Sequence, residues 1–101
     1  MNKRLKKKKK LSITDSEIWG LNYTLAKYIL PRLKRFKQIN RSYPFSLTET
    51  EWKEILNKMI WSFDYIIKEN DSNELLETMK EVIRCQEGLD LFSKYFRNLW
   101  D

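Results

Sequence analysis

The stretch LTETEWKEILNKMIWSFDYIIKEN, residues 47–70, decides the fold. Thr48 and Glu51 stand at the spacing of a capping box, in which hydroxyl and carboxylate satisfy the free backbone donors of a first helical turn. Leu47 and Trp52 supply the flanking hydrophobic staple. Beyond them Trp52, Ile55, Leu56, Met59, Ile60, Phe63, Ile66 and Ile67 recur at alternating three- and four-residue intervals. That period puts them on one face of a helix, whereas a strand would split them between two. The pattern predicts an amphipathic helix that ends near Asn70.

Outward on the N-terminal side, residues 40–46 break the pattern, with Tyr43-Pro44 as the pivot. Before the break a helix is expected to run to Gln38 from one of two starts. Asp15 gives the longer helix but crosses Gly20, and Asn22 is an acceptable N-cap for the shorter one. Its apolar stripe reads Leu25, Tyr28, Ile29, Leu33, Phe36. Pro31 lies inside it, removes one backbone donor and crowds the Lys27 carbonyl, so a kink is expected there. On the C-terminal side a third helix is expected to start after Asp71, with Glu74 at the capping-box position. It would reach Leu99, a length of ~40 Å. Its stripe changes phase: Leu75, Met79, Val82 and Gln86 share one face, and Leu89, Phe92, Phe96 and Leu99 another. Gly88 sits at the change, which predicts a kink or a second partner for the end of the chain.

The chain of 101 residues contains only two Gly and two Pro, too few for the turns of a β-sandwich or barrel. The fold class is therefore all-α: a three-helix up-down bundle over residues 12–101, preceded by a disordered basic arm at residues 1–11. Aromatics make up 14% of the chain, enough for a core. A domain of this size gains from self-association, so a homo-oligomer is expected.

The net charge of +6 divides unevenly. Residues 1–10 hold seven of the 20 basic side chains and none of the 14 acidic ones, which leaves 13 against 14 in the rest. Within the body, Lys27, Arg32, Lys34, Arg35, Lys37 and Arg41 occur without an acid, while residues 42–101 sum to −5. A single cysteine, Cys85, forms no internal disulfide and reads as a small buried residue in a reducing compartment. The lysine run does not lead into an apolar signal core, and no stretch approaches a membrane span. The expected location is the cytoplasm, with no membrane partner.

Histidine is absent. Ser-His-Asp and Cys-His nucleophiles, histidine bases and His-containing metal sites are thereby excluded. Gly20 and Gly88 stand alone, so there is no glycine-rich phosphate loop. Glu74, Glu77 and Glu81 read as a solvated acidic face. No enzyme, cofactor or metal is expected; the chain reads as a binding protein.

Six residues are candidates for ligand binding. Arg32 projects into the Leu25/Phe36 stripe, where a cation needs an anionic partner. It either forms a structural ion pair or snorkels outward, or it pairs with Arg35 to grip a phosphate. Trp61 and Tyr65 project opposite the stripe of their helix, as a partner interface or a stacking platform. Lys94 and Arg97 could reach a phosphate from the terminal segment, although Lys94 can also pair with Asp90 at i−4. The lysine arm, residues 3–10, would attract nucleic acid by counterion release.

The segments WGLNYTLAKYILPRLKRF (19–36), LTETEWKEILNKMIWSF (47–63) and EGLDLFSKYFRNLWD (87–101) resemble a widespread group of small phage-encoded helical proteins. The resemblance covers most of residues 17–101, excludes the lysine arm and supplies no catalytic motif. It implies expression in the cytoplasm of an infected bacterium and a role against host defence. That role would be met by binding a defence protein or by sequestering an anionic nucleotide signal. A nucleic-acid-binding accessory protein and a structural adaptor are the alternatives.

Overall fold

A computed structural model describes residues 12–72 and 78–100, and every regular element among them is helical. The helices are α1 (Asp15–Trp19), α2 (Leu21–Ile39), α3 (Glu49–Asp71) and α4 (Met79–Tyr95), followed by a 3₁₀ turn at Phe96–Asn98. The arm expected at residues 1–11, and Glu74 and Leu75, lie outside the described residues.

The central helix forms as its sequence demands. The Thr48 Oγ1 accepts from Glu51 N–H at 3.1 Å, and Glu51 Oε1 accepts from Thr48 N–H at 2.8 Å. Trp52, Leu56, Met59 and Phe63 are buried, and Ile55, Ile60, Ile66, Ile67 and the staple residue Leu47 pack against them. The Trp52 indole N–H reaches Asn40 Oδ1 at 3.0 Å, which satisfies a buried donor and fastens the break to α3.

Three corrections concern the other helices. The first helix is two, because Gly20 ends α1 and caps α2, so Asn22 lies inside α2. Thr14 starts α1, its N–H donating to Glu17 Oε2 at 2.8 Å. The last helix begins at Met79: Asp71 is the final residue of α3, and Thr78 with Glu81 forms the capping box. It ends at Tyr95, since the next three residues tighten into the 3₁₀ turn. Its 17 residues span ~25 Å instead of ~40 Å.

The three long helices alternate in direction. Tyr23 O–H donates to Asp71 Oδ1 at 2.9 Å, tying the start of α2 to the end of α3. Lys58 pairs with Glu87 at 2.8 Å, and the Trp52 and Tyr95 rings meet edge to face, so α4 also runs antiparallel to α3. Helix packing runs through α3, which touches both neighbours, while α2 and α4 make no direct backbone approach to each other.

The two seams of α3 differ in kind. Against α2 it is apolar: Ala26, Leu30 and Leu33 meet the buried row of α3. Against α4 it is a close backbone crossing at Gly88, the one fully buried residue of α4. A β-carbon at Gly88 would collide with Ser62 Oγ and the Lys58 carbonyl. The buried Ser62 hydroxyl lies 2.9 Å from the Cys85 carbonyl and 3.2 Å from that of Lys58, so it has an acceptor in either helix. Gly88 thus supplies room, and α4 continues through it. Cys85 is half-buried at this crossing, not buried. Met79 and Val82 are exposed, so the first of the two faces expected on this helix is not a core face.

Candidate docking groove

Because α2 and α4 straddle α3 without closing on each other, a groove of about 340 Å³ opens between them. Tyr28, Ile29, Arg32, Leu33 and Phe36 of α2 form one wall, and Phe92, Phe96 and Leu99 form the other. Phe63, Phe92 and Phe96 make successive edge-to-face contacts at 5.0 and 5.5 Å, a ladder from the core to the surface. Phe92 is half-buried, whereas Phe96 and Tyr28 are 60% and 61% exposed.

The wall contributed by α2 explains Arg32. The buried face of α2 is centred on Ala26, Leu30 and Leu33, turned by roughly 90° from the stripe expected from sequence. Leu25 and Tyr28 therefore lie on the flank and are exposed. Arg32 sits on that flank too, at the rim of the groove, so it is not a cation in the core. Its guanidinium lies over the Tyr28 ring, 3.7 Å from the centroid, and donates to the Tyr28 carbonyl at 2.9 Å. Among the described residues no carboxylate pairs with Arg32. Of the alternatives for Arg32, the guanidinium turns outward and forms this local perch in place of an ion pair, a contact worth about 0.5–1 kcal/mol at an exposed site.

The six candidate residues fall in separate places. Arg32 is in the groove wall; Arg35 is exposed and donates to Gln38 Oε1 at 3.2 Å, outside the lining. Arg97 is exposed on the 3₁₀ turn next to Phe96. Lys94 borders a different hollow along α4, with Ile83, Gln86, Glu87, Asp90 and Leu91. Its ammonium lies 5.3 Å from the Tyr95 centroid, and the Asp90 carboxylate instead accepts from Gln86 Nε2 at 2.9 Å. Trp61 and Tyr65 are stacked with centroids 5.1 Å apart and planes 10° from parallel. They are half-buried, and the Arg84 guanidinium of α4 lies 4.0 Å from the Trp61 centroid. This pair is a packed shoulder of the α3–α4 seam, because α3 carries a neighbour on each side.

Tyr28, Phe36, Phe92, Phe96 and Leu99 were not singled out as binding residues by the sequence. The available signal was width: apolar positions on α2 cover more than the single stripe that one neighbour can bury. No helix among the described residues is long and apolar enough to cross a membrane, and none of their His, Cys, Asp and Glu side chains gathers into a metal-sized group. Compared with known proteins, the chain matches no family model, no curated sequence and no solved structure.

Proposed function

We propose that this is a non-catalytic binding protein whose groove between α2 and α4 docks an acidic amphipathic helix of a partner protein. The observation that carries this reading is the chemistry of the lining, seven apolar side chains and a single arginine. Three antiparallel helices leave the site of a fourth open, and helix-in-groove recognition fills such a site with apolar side chains at i, i+3, i+4 and i+7. Tyr28 to Phe36 spans ~12 Å, two turns of a docked helix. Arg32 at the rim favours an acid on the partner helix where it passes that rim. This is the protein-binding form of the counter-defence role that the resemblance to phage helical proteins implies, exercised in the bacterial cytoplasm.

The nucleotide-sequestering form is supported less well. A base and several phosphates need convergent donors, and the groove offers Arg32 alone. Titration with a synthetic helical peptide of Leu at heptad spacing and Glu elsewhere tests the reading. Micromolar binding, lost in Phe96→Asp and in a Lys-for-Glu peptide, is the expected result. Heat from a cyclic di- or trinucleotide, with none from the peptide, would overturn it.

A second reading has its own observation: Lys27, Arg32, Lys34 and Arg35 are exposed on one helix that has no acid. A nucleic-acid backbone would suit them together with the lysines at residues 6–10. A gel shift that weakens steeply with salt and with loss of residues 1–10 is expected on that reading; salt-insensitive binding counts against it.

A further inference from the structure

The groove reading leaves the partner's identity open, and the chain itself carries a shorter segment, apolar and acidic, that could occupy one turn of the groove. Helix α1, Asp15–Trp19, buries none of its residues. Ile13, Ile18 and Trp19 are 68%, 54% and 83% exposed, and Asp15 and Glu17 give the segment two acids and no base. A helix of five residues is too short to be stable unaided, so it gains from a surface to lie on. Its own groove is out of reach. Gly20 is the single residue between α1 and α2, and folding one helix back along another takes a connection of about 2–8 residues.

Charge selects among the other occupants. Pairing α2 with α2 of another copy about an axis at the groove would set Arg32 against its own equivalent, which disfavours that arrangement. The lysine run at residues 6–10 has the wrong sign to lie against Arg32, so the contact falls to the acids that follow it, Asp15 and Glu17. The other exposed aromatic stretch, Tyr43-Pro44-Phe45, lies between Arg41 and Lys53, and the nearby Glu49 already stands 3.8 Å from Lys53.

We infer that α1 of a second copy fills the groove, its Ile18 and Trp19 against the Phe96 side of the groove and its Asp15 toward Arg32. The contact is reciprocal in a two-fold dimer, so each chain gives one α1 and receives one. This inference rests on the groove being a helix-docking site. It also makes self-association compete with any outside partner for the same surface.

Sedimentation equilibrium of the full chain at low salt tests it. The wild type is expected to dimerise below ~100 µM, and Trp19→Ser, Asp15→Arg and Arg32→Asp are each expected to raise the dimer Kd at least ~10-fold. The double variant Asp15→Arg/Arg32→Asp restores dimerisation, because the charges have changed places. A wild type that stays monomeric, a dimer indifferent to these changes, or a double variant no better than either single one overturns the inference. The acidic heptad peptide separates the two levels. A monomer that still binds it at the groove sinks the second-copy occupant and keeps the docking groove; a monomer that ignores it sinks both.

Discussion

Helix α2 has two apolar faces with different fates. Ala26, Leu30 and Leu33 are buried against α3, while Leu21, Leu25 and Tyr28, displaced around the same helix, are exposed, and Tyr28 lines the groove. The buried set is small and aliphatic, matched to the row Trp52, Leu56 and Met59. The exposed set is larger in side-chain size and ends at Arg32. One face holds the monomer together, and the other is surplus to that task. Surplus apolar area in a contiguous strip is the physical mark of a binding surface.

Substitutions can break or sharpen this contrast. The largest effect is expected inside the first face: Leu33→Ala or Leu56→Ala should lower unfolding free energy by about 2–5 kcal/mol, read from denaturant melts. Gly88→Ala comes next, at about 1–3 kcal/mol, because its methyl group meets the Lys58 backbone carbonyl as well as Ser62 and must part α4 from α3. Thr48→Ala removes the cap of α3 and should cost about 1 kcal/mol. On the exposed face, Leu25→Ser and Tyr28→Ser should change stability by less than about 0.5 kcal/mol while weakening association. A loss of several kcal/mol at Leu25 would erase the contrast.

How much was legible beforehand follows from the same contrast. Helix α3 is legible in cap, staple and stripe, because local signals and burial agree there. Helix α2 is legible as a helix, but its apolar positions do not point to its buried face. Leu25 and Tyr28 belong to the surplus face and Leu33 to the core face, and a single average direction passes between them. That average placed Arg32 in a core which it only borders. Gly88 was noticed as a break in phase, yet its role as the point where two backbones cross needs the partner Ser62, which no local pattern reveals. Trp61 and Tyr65 projected away from the stripe toward what looked like solvent. A central helix flanked on both sides gives such residues a second neighbour, here Arg84. The start of α4 was misplaced because Asp71 and Thr78 both satisfy cap rules, and only Thr78 is used.

The wall that the end of α4 lends to the groove is not legible in the sequence, for a related reason. Phe92 and Phe96 lie on one helix face, but only one of them is half-buried. The difference arises from where α4 stops, at Tyr95, and turns into the 3₁₀ segment that carries Phe96 outward.

The claim that the second face of α2 and the groove beside it form a binding surface is tested most directly by Phe96→Asp, measured two ways on one sample. Titration with the acidic heptad peptide should show binding to the wild type and none to the variant, while the two thermal melts coincide within about 0.5 kcal/mol. Equal peptide affinity in both proteins, or a variant that loses binding only because it unfolds, would contradict the account.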